Sequence, residues 1–161
     1  MILQIEPSER MSELCELLHD SVENGASIGF MPPLEAGEAE AYWRSVTNLL
    51  FVAIDDGKVV GSVQLDYAQR RNGLHRAEVA KLMVHTSMRR RGIGRQLMEY
   101  AADRALRDGR TLLVLDTRRG DPSQSLYTSL GFEIAGVIPG YARSASGELH
   151  DTILMYKNLL G

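Results

Sequence analysis

Leu82-Met83-Val84-His85-Thr86-Ser87-Met88-Arg89-Arg90-Arg91-Gly92-Ile93-Gly94-Arg95 is the stretch on which the fold turns. It begins as the end of an apolar strand and finishes as the first turn of a helix, with a basic connection between. Upstream, Ala77–His85 reads as a strand; downstream, Ile93, Leu97, Ala101 and Ala105 fall at helical spacing until Gly109 caps the helix. Glycines at a helix start let a ligand approach the backbone, where free N–H groups and the helix dipole attract phosphate. Arg89, Arg90, Arg91 and Arg95 flank those amides, which is chemistry for a pyrophosphate. The bland alternative is a solvated arginine cluster at a helix end.

Composition sets what that ligand is not. The chain has 161 residues, 44% apolar, 24% charged and 6% aromatic, as expected of one globular domain spanning 1–161. From Val79 to Met98 there are five basic residues and no acid, so the net charge of −3 conceals −8 outside that segment. A local basic focus on an acidic chain suits one anionic ligand, whereas a nucleic-acid surface spreads its cations and a membrane would find no general attraction. No apolar run approaches the ~18 residues of a transmembrane helix, and no basic-then-apolar leader opens the chain. The single cysteine, Cys15, allows neither an intrachain disulfide nor a Cys-Cys metal clip. A reducing cytoplasm and no metal are therefore expected.

Working outward, no repeat or linker interrupts the chain. Ile2–Glu6 predicts a strand, and Glu9–Val22 a helix with Ser8 as N-cap and a stripe of Met11, Leu14, Cys15, Leu18 and Val22. Leu34–Leu49 predicts a second helix presenting Ala39, Tyr42, Trp43, Val46 and Leu50. Phe51–Ile54, Asp55-Asp56-Gly57 and Val59–Leu65 form a hairpin pattern, and Asn72-Gly73 marks another reversal. Thr111–Leu115 reads as a buried strand. Asp121-Pro122-Ser123-Gln124 opens a helix through a capping box and a first-turn proline, and Gly131 stops it. Phe132–Val137 and Thr152–Lys157 extend. Hairpins with one βαβ crossover give an α/β (α+β mixed) fold. Met83, Met98, Met155 and Trp43 read as core.

Two nucleotide fingerprints differ from this pattern. A P-loop ends in Gly-Lys-Ser/Thr, which is absent. The dinucleotide fingerprint places three glycines directly after the strand, but seven residues separate Val84 from Gly92 and the third position is Leu97.

Arg89-x-x-Gly92-x-Gly94 resembles the (Gln/Arg)-x-x-Gly-x-(Gly/Ala) signature of the GCN5-related N-acetyltransferase superfamily. Ala77–Val84 is similar to its central strand, and Leu126-Tyr127-Thr128-Ser129-Leu130-Gly131-Phe132 to its Leu-Tyr-x-x-x-Gly-Phe segment. The likeness runs from about Val52 to Lys157. Gly25–Phe30, Asn72–Val79, Leu115-Asp116-Thr117 and Pro139-Gly140-Tyr141 look like the branch containing tabtoxin-resistance acetyltransferase. The resemblance implies a central, mostly antiparallel sheet of six to seven strands, about four helices, and a V-shaped splay between two parallel strands. It also implies acetyl-coenzyme A as donor. Its pantetheine arm would lie along Leu82-Met83-Val84, held by the Leu82 and Val84 backbone, with its pyrophosphate on the amides from Arg90 to Arg95. One position departs: Gly120 stands where the superfamily often has an asparagine that contacts the pantetheine arm.

Acyl transfer from a thioester to an amine needs a neutral amine, close positioning and help for the leaving thiolate. By the family match Tyr127 is the acid, the alternative being a core-lining tyrosine with a satisfied hydroxyl. Asp116, at the end of its strand where open sheets place ligands, is a candidate to orient or deprotonate the amine, or else caps the Thr117–Gly120 turn. Glu78 is a second base candidate, or a solvated carboxylate. His75 and His85 adjoin turns and read first as surface histidines. Three loops, Ala26–Phe30, Gln69–His75 and Pro139–Tyr141, are expected to supply the acceptor pocket, with Phe30, His75 and Tyr141 as contacts for a small amine or amino-acid-like compound. Rival readings are a protein N-terminus or lysine as acceptor, and a module that binds coenzyme A without turnover. A homodimer is left open, although no heptad or long apolar edge in the sequence demands one.

Overall fold

The computed structural model describes residues 1–161. Its strands are β1 (Ile2–Ile5), β2 (Leu49–Asp55), β3 (Lys58–Tyr67), β4 (Arg76–Val84), β5 (Leu112–Arg118), β6 (Glu133–Arg143) and β7 (Leu149–Asn158). They form one sheet in the order β1-β2-β3-β4-β5-β7-β6, antiparallel throughout except for the central pair β4 and β5. Helices α1 (Met11–Glu23) and α2 (Glu38–Ser45) pack on one face, and α3 (Ile93–Arg107) and α4 (Pro122–Ser129) on the other. This is the expected mixed α/β fold, with seven strands and four helices.

Two cores result. Leu14, Leu17, Leu18 and Val22 of α1 pack with Trp43, Leu50, Val52 and Met83, and the Trp43 indole donates to the Leu14 carbonyl at 2.9 Å. Leu97, Met98, Ala101 and Ala105 of α3 press on Phe51, Val63, Leu65, Val79, Leu113 and Leu115. Each buried leucine contributes about 1.5–3 kcal/mol. The four residues read as core, Met83, Met98, Met155 and Trp43, are buried.

The decisive feature is the parting of β4 from β5. They pair only at Arg76–Leu112, Ala77–Leu113 and Glu78–Val114. Further along, the register of β3 with β4 shifts between Ser62 and Gln64, so that Lys81 and Leu82 together face Val63. Lys81 adopts a φ of +55° in this bulge. A bulge bends and twists its strand, while β5 stays straight along β7 from Leu112 to Arg118. The fork is the V-shaped splay implied by the sequence.

Several boundaries differ from expectation. Ser8 is not the N-cap: a 3₁₀ turn, Pro7–Arg10, precedes α1, and Glu6 and Glu9 form its capping box. Cys15 is half-buried, and Leu17 takes the core position instead. The second helix is shorter than Leu34–Leu49, because Gly37 sets its start in a left-handed conformation and Leu49 and Leu50 belong to β2. The strand expected to stop at Leu115 continues to Arg118, held by β7. Pro139-Gly140-Tyr141 is not a loop but part of β6, at a register irregularity between Ile138 and Ala142. That edge strand leaves Ile134, Val137, Ile138 and Tyr141 exposed, an apolar edge the sequence pattern had not disclosed.

Candidate functional site

The fork leads to the start of α3. Beyond Glu78, the β4 backbone groups that face β5 have no strand partner, and unpaired backbone of this kind calls for a ligand or water. At the end of β4, Arg90 (φ +64°) and Gly92 (φ +77°) take left-handed conformations. Alternation of that sort turns successive N–H groups inward as an anion-holding nest. None of the N–H groups from Arg90 to Arg95 donates within the protein; the first helical bond is Gln96 N–H to the Gly92 carbonyl. Arg89, Arg90 and Arg91 are exposed and pair with no carboxylate. Arg95 reaches across to α4, donating to the Ser129 hydroxyl at 2.6 Å. A wholly polar hollow of about 470 Å³ runs along α4 there, lined by Gly120, Asp121, Gln124, Ser125, Thr128 and Ser129. A Cβ on Gly94 would sit 3.3 Å from the Leu126 side chain and 3.7 Å from that of Val84.

The turn entering this cradle is fixed from behind. Asp20 of α1 accepts from the Thr86 N–H at 2.8 Å and its hydroxyl at 2.7 Å, and the His85 ring lies 3.6 Å from the same carboxylate. His85 is thus a half-buried part of the support.

Three groups able to handle protons lie on the elements that border the fork: Glu78 on β4, Asp116 on β5 and Tyr127 on α4. Tyr127 is buried on α4, its ring 5.9 Å from that of Phe132. Burial pushes its pKa up to about 12, Asp121 and Asp116 add to the rise, and a hydrogen bond with Ser123 opposes it. Ser123 is itself held by Asp121 at 2.5 Å and by Thr117 at 2.9 Å. Asp116 lies inside β5 and caps no turn; its nearest hydroxyl is Thr152, at 3.5 Å. The Glu78 pKa is raised, first by the desolvation of its carboxyl at the apex, then by Asp116 and Asp66, against the opposing charge of Lys81. Asp66 faces Glu78 directly across β3 and β4.

Residues 12–132 match the acetyltransferase (GNAT) family. The chain belongs to this family. It is 31% identical to an uncharacterized N-acetyltransferase in the hisH–hisA intergenic region of Azospirillum brasilense, over 71% of this chain and 73% of that one. Among solved structures it resembles an acetyltransferase of the GNAT family from Streptococcus pneumoniae, with a TM-score of 0.79, 25% identity and 98% of both chains covered. It also resembles a Salmonella typhimurium protein solved with its cofactor acetyl-CoA, with a TM-score of 0.80, 21% identity, and 99% and 93% of the two chains covered.

For a GNAT chain the expected residues divide by position. Leu82, Met83 and Val84 line the open side of the fork, and Arg89 to Arg95 form the cradle. Glu78 stands at the last β4–β5 pair, Asp116 lies two residues beyond its partner Val114 on β5, and Tyr127 is on α4. Phe30 packs edge-on to Tyr42 at 5.0 Å, so half its surface serves the α1–α2 core. Tyr141 stands at the rim, beyond the end of β5 and two strands away from it. His75 does not enter the fork: it lies before β4, on the side where β4 and β5 are paired, and its carbonyl receives the Thr111 and Leu112 N–H groups. Gly120 holds a φ of +82°, a conformation glycine adopts freely, and its N–H is taken by Gln124. Lys81 counted only as one of the basic residues, Ser123 only as part of a helix start, and Asp20 had no role in the sequence reading, because no local pattern signals a bulge or a contact from a distant helix.

Proposed function

We propose that the chain is a single-domain N-acetyltransferase that takes acetyl from acetyl-coenzyme A and passes it directly to the primary amine of a small molecule. The observation that carries this is the fork ending on six free amides ringed by unpaired arginines. The Leu82–Val84 backbone would hold the pantetheine arm, and Arg89, Arg90, Arg91, Gly92, Ile93, Gly94 and Arg95 the pyrophosphate. The bound donor supplies an electrophilic acetyl carbon on a sulfur leaving group. Glu78, whose pKa is raised by its surroundings, takes the proton that the amine loses as nitrogen bonds to carbon and the carbon–sulfur bond breaks. Asp116 orients the amine. Tyr127, at about 12, is less acidic than a thiol at ~8.5, so its hydroxyl supports the departing sulfur by hydrogen bonding more than by surrendering its proton. Phe30 and Tyr141 border the acceptor.

Other features extend the reading. The lone Cys15 thiol suits a reducing cytoplasm, which cell fractionation tests. The exposed apolar side chains of the β6 edge suit pairing with a second copy, and a monomer mass by light scattering would overturn that.

The test is calorimetric titration with acetyl-coenzyme A, with Gly92→Asp and NADH as controls, followed by thiol release over an amine panel. Binding that the variant loses and NADH does not match, with amine-dependent thiol release, is the expected result. No binding overturns the donor site; binding without release from any amine leaves a coenzyme A-binding module.

A further inference from the structure

Lys81 is the charged residue beside the fork that the acetyl-transfer reading leaves without a task. Its φ of +55° is a conformation that residues with a Cβ seldom adopt, and it is half-buried. Lysines withdrawn from water are normally paired. This one forms none of the protein's ion pairs, although Glu78, Asp66 and Asp116 share its neighbourhood. The ammonium instead rests against the loop between α1 and α2, with Nζ 3.5 Å from where a Cβ on Gly29 would lie. That is ordinary van der Waals contact, so the ammonium lies directly against residue 29, whose φ of +91° favours glycine. The bulge thus aims three N–H donors toward the acceptor loop with no protein acceptor for them. Glu78 lies three residues back, roughly 10 Å of strand, so an acid and a cation stand apart on one wall of the site.

We propose that Lys81 binds a carboxylate of the acceptor, so that the substrate is an amino acid whose amine is presented to Glu78 while its acid group pairs with the Lys81 ammonium. The proposal rests on the acetyl-transfer reading and narrows it from amines at large to amines carrying a nearby carboxylate. A purely cationic amine meets repulsion from Lys81 that partly cancels its attraction to the carboxylates. An amino acid satisfies both charges. Its amide satisfies only one and leaves the half-buried ammonium without a partner.

The experiment compares the common L-amino acids with their amides on the wild type, Lys81→Asn and Lys81→Arg. Asparagine tolerates the left-handed backbone, which protects the fold while removing the charge, and retained acetyl-coenzyme A binding shows that the variant is folded. Initial rates are measured with acetyl-coenzyme A. Calorimetric affinities for each acid and amide are measured on protein saturated with coenzyme A, where no transfer occurs. For at least one amino acid the wild type is expected to prefer the acid over the amide by about tenfold or more, both in kcat/KM and in affinity. Lys81→Asn should reduce that preference to within about twofold, chiefly through a higher KM for the acid, and Lys81→Arg should restore part of it. Equal use of acids and amides by the wild type, or a preference unchanged in Lys81→Asn, overturns the proposal and leaves the acetyl-transfer reading standing. No transfer to any amine overturns that reading, and this proposal with it.

Discussion

Gly61 tests whether the donor cradle depends on the close approach of β3 to α3. A Cβ placed there would lie 2.9 Å from the Met83 carbonyl oxygen, 3.1 Å from Leu97 Cδ1 and 3.2 Å from Ile93 Cγ2. The first contact is with backbone, which moves only if β4 moves. Overpacking of this kind costs about 1–3 kcal/mol. Replacing glycine in a strand returns roughly 0.5–1 kcal/mol of chain entropy. With a backbone atom at 2.9 Å the upper half of that cost applies, so Gly61→Ala should lose about 1–2.5 kcal/mol, a fall in Tm of about 2–10 °C for a chain of this length. Because Met83 lies in the fork and Ile93 begins α3, acetyl-coenzyme A affinity should fall several-fold as well. Two neighbours calibrate the reasoning. Gly92→Ala meets no atom within 4 Å but must hold a φ of +77°, so it should cost about 1–2 kcal/mol through backbone strain alone. Gly94→Ala presses only on the flexible Leu126 side chain, at 3.3 Å, and gains up to about 1 kcal/mol of helix propensity, so it should be nearly neutral. Thermal and urea unfolding give the stabilities, and calorimetry the affinities. A Gly61→Ala variant as stable as the wild type, or no worse than Gly94→Ala, would refute the argument.

Other expectations concern the chemistry. Tyr127→Phe should lower kcat by about a hundredfold at most, with KM for both substrates little changed, and a phenol at about 12 should add no pH limb below pH 10; an unaltered kcat would make the tyrosine a packing residue. If Glu78 is the base, kcat/KM for the amine rises with pH through its raised pKa. Asp116→Asn removes a like charge and so must move that limb to lower pH; a limb that stays or moves upward counts against the assignment. The stability sign is the converse: with the folded pKa above the unfolded one, the Glu78 contribution is fully present below the unfolded value and is lost as pH rises through the folded value. Asp20→Ala strands the Thr86 N–H and should cost about 1–3 kcal/mol while raising the Kd for acetyl-coenzyme A; an unchanged Kd would show that the turn holds the cradle without help from α1.

The glycine-bearing start of α3 and the element order were legible because their causes are local. Helix α3 announces itself through the spacing of Leu97, Ala101 and Ala105, and its start through Gly92, Gly94 and the arginines. Asp121 and Pro122 opened α4 as the capping pattern said, although Gln124 reached back to Gly120 N–H instead of to the cap residue. Strand ends were less legible, since pairing sets them: β5 runs on through Asp116 to Arg118 because β7 is beside it, and Pro139–Tyr141 extends because β7 also pairs with β6.

By itself, then, the chain determined a basic, glycine-bearing helix start after a strand and the pattern of a mixed sheet, because the signals for each element lie within a few residues of one another. Only the tertiary structure decided where β4 leaves β5, that Asp66 faces Glu78 across β3 and β4, that His75 stays outside the fork, and that Lys81 points at the loop of Gly29 without a partner. Those facts depend on a bulge whose extra residue is counted against another strand, and on charges that meet across strands far apart in the chain. No window of sequence contains both sides of such a contact.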